Sequence, residues 1–437
     1  MDTEVTERLV AQVWQRQLMA ELTTDTGERL HLLHPGRPSN LSGCDFQDSV
    51  FTIKGVKVTG NVEIHVKSSH WYSHGHHRDP QYNDIVLHVV WWHNSKYGTI
   101  CQNGRAVATI CLGGQNRSPE RLHEYLSYSG NSSPACPEIE RYQGIESLSK
   151  LLTAAGADWF ASKIHLFRRA LNEGDATQVL LHGIARALGY AQNVTPFEEL
   201  ASKLPSSLLE KIEPGADVAR RALVLGTAGL LPSQRGKPIE SGEPEILEVL
   251  WRRIAMPQTM DQAAWCFFRV HPHNFPTRRL IALCHLIARY RQTGLLLGIL
   301  DLMARTPTKS GHRGLENGLT IFSPGYWSKH FDFGVGSKRN LALLGREKAA
   351  QIIINTILPF TCAWSETAAE PDLKEKAVQV FSYYPGLSDN ELTRYMQQQF
   401  RLQAHLTACQ QQGLIHIFKN YCRQRDCVRC PIALTPS

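Results

Sequence analysis

The sequence predicts an α+β protein, a small N-terminal α/β domain followed by a larger, mostly helical region. Three observations predict it. Short β-branched runs broken by turn residues fill the chain as far as residue 112. From about residue 140 that alternation stops and apolar residues recur at helical spacing. The chain has 437 residues, 42% hydrophobic and 20% charged, enough for two or three cores and too apolar for disorder.

The elements follow in order. Val5, Leu9, Val13, Trp14 and Leu18 share one helical face, so the chain opens with a helix. Strand-like runs come next: "RLHLLH" at 29–34, "SVFTI" at 49–53, "VEIHV" at 62–66, "DIVLHVVWW" at 84–92 and "VATICL" at 107–112. Turn signals such as "HPGRPSN" and "SGCD" separate them. The Gly-, Ser-, Pro- and Asn-rich "GGQNRSPERLHEYLSYSGNSSPACPE" is the expected exit, giving an α/β domain over 1–135. Residues 140–370 are expected to be helical, with loops at 269–279 and 323–340, and 371–437 to be a short helical tail that ends in cysteines. No repeat of fixed period is present.

Composition narrows the function classes. A net charge of +7 and a pI near 8.8 are a mild basic excess, compatible with a polyanionic partner. The first residues lack the basic and apolar regions of a signal peptide, and apolar stretches such as "TGLLLGILDLMA" fall short of the roughly 18 residues a membrane span needs. The expectation is a cytoplasmic protein without a membrane partner. No G-x-S-x-G elbow or dinucleotide fingerprint occurs, and "FDFGVGSKRN" lacks the spacing of a nucleotide triphosphate loop.

The chemistry concentrates in "GNVEIHVKSSHWYSHGHHRD", residues 60–79. In a strand, Glu63, His65 and Lys67 share one face while Val62, Ile64 and Val66 share the other. A carboxylate and an ammonium on one sheet face are parts of a metal-dependent phosphodiesterase: the acid holds Mg²⁺ or Mn²⁺ and the lysine steadies hydroxide or developing charge. Asp45 and Asp48, just upstream, supply a second acid. His70, His74, His76, His77 and Asp79 follow, and His74 and His76 are candidate metal or phosphate contacts. An alternating charged strand also fits a solvated sheet face. The histidine-rich sequel favours a site.

The order helix, strand, Asp, strand, Glu-x-x-x-Lys, helix, strand resembles the core of the PD-(D/E)xK nuclease superfamily. That resemblance implies Asp45 and Glu63 as metal ligands, with Lys67 or His65 in place of the superfamily lysine. The chain reads E-I-H-V-K, so His65 stands where lysine is expected and Lys67 comes one pleat later. The combination of "SGCDF", the 60–92 stretch, "AGLLP", "HNFPTRR" and the cysteine-containing ending resembles a bacterial family of unknown function.

Of 11 cysteines, Cys44, Cys101, Cys111, Cys136, Cys266, Cys284 and Cys362 are scattered singly and read as buried thiols. Cys409, Cys422, Cys427 and Cys430 form C-x12-C-x4-C-x2-C, followed by Pro431. Four thiolates suit structural Zn²⁺ or a [4Fe–4S] cluster. Because "LTACQQQGLIHIF" is helical in pattern, Cys409 is the uncertain member, with Cys362 as a substitute. The "C-x4-C-x2-C-P" run resembles the iron–sulfur loops of endonuclease III-type glycosylases and some RecB-like nucleases.

Arg278 and Arg279, near the start of a helix at Pro276, are candidate substrate contacts because arginines at a helix N-terminus suit phosphate; the competing reading is a solvated basic face. The sequence thus predicts a metal-dependent nuclease acting on DNA or RNA. The alternatives are a non-catalytic nucleic-acid-binding or scaffold protein on a nuclease fold, and a small-molecule metalloenzyme using His74, His76 and Asp79.

Overall fold

The computed structural model describes residues 5–16, 22–39, 43–113, 136, 139, 145–190, 192–213, 216–254, 258–268, 270–322, 325–340, 342–403 and 405–434. The expected exit segment, apart from its first residue and Cys136, lies outside them. The chain divides into two compact units. One contains Met1–Ala155, Asp389–Ala404 and Gly413–Ser437; the other contains Gly156–Ser388 and His405–Gln412. The tail expected over 371–437 therefore does not stand alone, and most of it belongs with the N-terminal sheet.

The first unit is built on an eight-stranded mixed sheet. Helix α1 (Glu7–Gln15) begins at Thr6, whose side chain caps the Leu9 amide. The strands are β1 (Leu22–Thr23), β2 (Arg29–His34), β3 (Arg37–Pro38), β4 (Phe46–Ile53), β5 (Val56–Lys67), β6 (Ile85–Trp92), β7 (Thr99–Ile100) and β8 (Ala106–Cys111). Their order is β1-β2-β4-β5-β6-β8-β7, with β3 pairing on β4. Strands β2, β4 and β5 form an antiparallel meander, and β5, β6 and β8 run parallel. The short helix α2 (His70–Ser73) lies in the connection between β5 and β6. A parallel pair requires a crossover, and the histidine-rich segment provides it.

The period of two sorts the sheet's side chains. Val62, Ile64, Leu87, Val89 and Ile110 form a core with Leu9, Val10, Val13 and Trp14 of α1. Glu63 and His65 of β5 and His88 of β6 take the opposite face. Cys44, Trp71, Tyr82, Ile85, Cys101 and Val107 make a smaller cluster beside those polar groups.

The second unit is helical around a large apolar core that includes Leu180, Ile184, Leu225, Ile281, Ile299 and Phe360. Helix Arg346–Ile352 passes into a π-helical segment, Ile353–Ile357, just before helix Leu358–Thr367. Pro359 stands at the junction and has no N–H for a normal helical bond, so the widened turn accommodates it.

Candidate metal centre on the sheet

The end of β4 sets the acids. The register pairs Phe46 with Val62, and one residue further the Asp45 amide donates to Val62 O at 3.1 Å. Strand β4 has ended there, so the next inward amide of β5, that of Ile64, lacks a strand partner. The Asp45 carboxylate takes it at 2.9 Å. Asp45 is thereby fixed beside Glu63, and an ionised carboxylate keeps further lone pairs after accepting one N–H. The Cys44 thiol, next to both acids, is pushed up to about 11, mainly by burial and then by the Glu63 charge.

The histidines close around Glu63. Gly75, at φ 80°, turns the chain between His74 and His76. His76 Nε2 stands 3.5 Å from Glu63 Oε1 and 3.3 Å from His65 Nε2, while His65 Nε2 is 3.9 Å from the same carboxylate oxygen. His65, His74 and His76 each offer a ring nitrogen, and these atoms all lie within 4.8 Å of one another. The edge of a tetrahedron around an ion bound at about 2.0–2.1 Å is about 3.3–3.4 Å. The His65–His76 spacing matches that edge.

A row of hydrogen bonds behind His65 orients it. His65 Nδ1 is 2.9 Å from His88 Nε2, His88 Nδ1 is 2.8 Å from Thr99 Oγ1, and Thr99 Oγ1 is 2.9 Å from Thr109 Oγ1. With Nε2 of His65 turned to the trio, its Nδ1–H donates to His88, and His88 donates in turn to Thr99. This is how metal-ligating histidines are commonly held. Burial, reinforced by His88, His76, His74 and His70, lowers His65 to about 2, and burial lowers His88 to about 3. Both rings are therefore neutral and able to offer lone pairs. Tyr82 stacks on His76 at 3.8 Å between centroids, and the buried Trp71, its indole N–H on Ile100 O, walls the trio.

The other expected residues fall differently. Lys67 is exposed at the end of β5, two pleats beyond Glu63. Asp79 caps the turn that follows, accepting from the Gln81 amide, and His65 stands with His74 and His76 where Asp79 was expected. Arg278 and Arg279 are buried, neither presented to a substrate nor part of a solvated face. Arg278 donates to the carbonyls of Trp327, His330 and Ala342, and Arg279 to Leu343 O and Asn274 Oδ1. Their role is to satisfy chain carbonyls in the helical unit.

Cys409 is a core residue of the helical unit, so close to Gly156 that a Cβ there would meet Cys409 O at 2.2 Å. Cys362 is buried in that same core. Cys422, Cys427 and Cys430 instead line a cavity of the sheet unit together with Cys136. Sequence reasoning missed His88 and Cys136. A lone histidine inside the apolar run "IVLHVVWW" was the signal for the first, and the Cys-Pro pair that Cys136 shares with Cys430 was the signal for the second.

A family model described as "Protein of unknown function (DUF2851)" matches residues 7–390. No curated protein and no solved structure matches the chain.

Proposed function

The chain belongs to the DUF2851 family, whose description assigns no activity, and from the site geometry we propose that its sheet unit is a metal-dependent phosphodiesterase, a nuclease acting on DNA or RNA. The observation that carries the reading is the convergence of Glu63, His65, His74 and His76 on one sheet face, with the Asp45 carboxylate on the Ile64 amide next to Glu63. The antiparallel meander followed by a helical crossover to a parallel strand supports the PD-(D/E)xK comparison.

The donor set fits a divalent ion. Glu63 with the three imidazoles would hold it, and Asp45 stands one residue before the neighbouring strand β4. Imidazole-rich sites suit Mn²⁺, Fe²⁺ or Zn²⁺ better than Mg²⁺, which prefers oxygen ligands and retained waters. When bound, such an ion polarises a phosphoryl oxygen and lowers the pKa of water. The protein's groups do the rest. His88, Thr99 and Thr109 fix the His65 ring, and Asp45 or Glu63 can accept the proton of an attacking water. Trp71 and Tyr82 exclude bulk solvent from one side. Lys67, at the exposed end of the same face, suits the phosphate backbone beyond the scissile bond rather than the reacting atoms.

The histidine trio also favours a second reading, a small-molecule metallohydrolase. The test is cleavage of single- and double-stranded DNA and RNA, and of a chromogenic phosphodiester, by metal-stripped full-length protein reloaded with Mn²⁺, Zn²⁺ or Mg²⁺. We expect polymer cleavage that falls by about 10²-fold or more in Glu63→Gln. Turnover of the small diester alone would support the second reading. If metal-loaded wild type and Glu63→Gln were equally inert on every substrate, the hydrolase would be lost and a non-catalytic binding protein would remain.

A further inference from the structure

The end of the chain winds three cysteines into consecutive tight turns. Cys422 opens the one-turn helix Cys422–Gln424, and Arg425, at φ 54°, reverses the chain while its amide bonds Cys422 O at 3.0 Å. The Asp426 amide returns to Tyr421 O at 3.0 Å. Helix Cys427–Arg429 follows, and the Cys430 amide bonds Cys427 O at 3.1 Å. Cys430 O then accepts from the Ala433 and Leu434 amides as helix Pro431–Leu434 begins. The result is a compact knuckle with its thiols toward one cavity.

The fourth thiol comes from far away in sequence. The Cys136 amide donates to Gln399 O at 3.1 Å, its carbonyl accepts from Ile139, and the residue lines the same cavity, within electrostatic reach of Cys422 and Cys430. Arg37, Arg423 and Arg425 also line it. Asp48 ties the arrangement to the sheet, pairing with Arg37 at 3.1 Å and Arg423 at 2.6 Å, and Lys57 of β5 donates to Gln424 O.

Four thiols, Cys430 buried and Cys136, Cys422 and Cys427 half-buried, thus line one cavity. No disulfide joins them. A metal group would take all four as thiolates. The arginines suit the net negative charge that four thiolates leave on such a group.

Spacing distinguishes the groups. A single tetrahedral Zn²⁺, with Zn–S near about 2.3 Å, would draw the sulfurs to about 3.8 Å from one another. The four cysteines instead line an open cavity that Arg37, Tyr395, Phe418 and Ile432 share, whereas four sulfurs closed on one ion would leave no space between them. An open cavity between the thiols suits a group larger than one ion.

We propose that Cys136, Cys422, Cys427 and Cys430 ligate a [4Fe–4S] cluster that fastens the C-terminal segments to the sheet unit. Cys409 takes no part. With four protein thiolates and no open position, the cluster is an architectural or electron-transfer group. It is independent of the sheet-face hydrolase.

Full-length protein purified anaerobically tests this by iron, acid-labile sulfide and zinc analysis, with Mössbauer spectroscopy. The expected result is about four iron and four sulfide per chain. One zinc per chain, or no metal, would overturn the cluster. Mass-mapped alkylation of the same wild-type protein, before and after chelation, assigns the ligands without a variant. Cys136, Cys422, Cys427 and Cys430 should become reactive together on chelation; Cys409 becoming reactive on chelation, with Cys136 reactive beforehand, would refute the assignment. Iron retention should fall several-fold in Cys136→Ser and stay unchanged in Cys409→Ser.

Discussion

Two ligand clusters occur in the sheet unit, and they are built in opposite ways. The histidine trio draws its donors from 12 consecutive positions, 65–76, set on a paired strand and the crossover after it. The cavity thiols unite position 136 with 422–430, positions about two thirds of the chain length apart. Local donors on a sheet can keep their geometry without the ion, because backbone pairing and the His65–His88–Thr99 row hold them. Long-range donors depend more on the group they bind, since its loss releases the closure of a long loop. Under the two proposals, the comparison makes the sheet-face centre the one suited to chemistry and the thiol centre the one suited to holding the fold.

The strongest challenge is to remove one donor from each. Cys430→Ala should destabilise the sheet unit by several kcal/mol and give a lower, broader melting transition, because the group's binding free energy is part of folding. His76→Ala should leave the melting temperature within a few degrees of wild type. A large loss of stability in His76→Ala, with none in Cys430→Ala, would reverse the assignment of roles.

Arg278→Ala comes next and serves as a control in the helical unit. It leaves the carbonyls of Trp327, His330 and Ala342 without their donor, and buried unsatisfied groups cost about 1–3 kcal/mol each. We expect a loss of about 3 kcal/mol or more in denaturant unfolding, with no change in nucleic-acid affinity at native conditions. Weakened binding by folded Arg278→Ala protein would restore the arginine to a substrate role.

Metal affinity sharpens the comparison on the histidine side. His76→Ala should weaken Mn²⁺ or Zn²⁺ binding by about 10–100-fold in titration calorimetry, and His88→Ala should weaken it less while also costing stability. Asp79→Ala should cost only about 1 kcal/mol, the value of a lost cap, and leave metal affinity as it was. A metal-binding defect in Asp79→Ala would bring that carboxylate into the site.

The smallest effect concerns pH. Burial, with the Arg221 charge next, lowers His285 in the helical unit to about 4. Its unfolded value is near about 6.5, so the unfolded chain binds the extra proton first. Stability from this group is complete above about pH 6.5 and is lost as the pH falls toward 4. Replacing it, as in His285→Phe, should flatten that part of the stability profile; an unchanged slope would assign the loss elsewhere.

Much of this was legible in the sequence because it is local. Alternation in "VEIHV" separates Glu63 and His65 from Val62 and Ile64, and the structure keeps that division on the two sheet faces. The helical periodicity after 140 likewise gives helices. The exposure of Arg278 and Arg279 was not legible, because the carbonyls that bury them come from residues 327–343.

By itself the sequence determined the α+β class, the strand that bears Glu63 and His65, and the presence of a thiol knuckle, since period, turn residues and ligand spacing act over a few residues. Only the tertiary structure decided which partners complete each cluster. Pairing β5 with β6 brings His88 behind His65, and packing the tail in the sheet unit exchanges Cys409 for Cys136. Contacts across hundreds of residues are fixed by which apolar faces bury one another, and no local pattern in the chain records that choice.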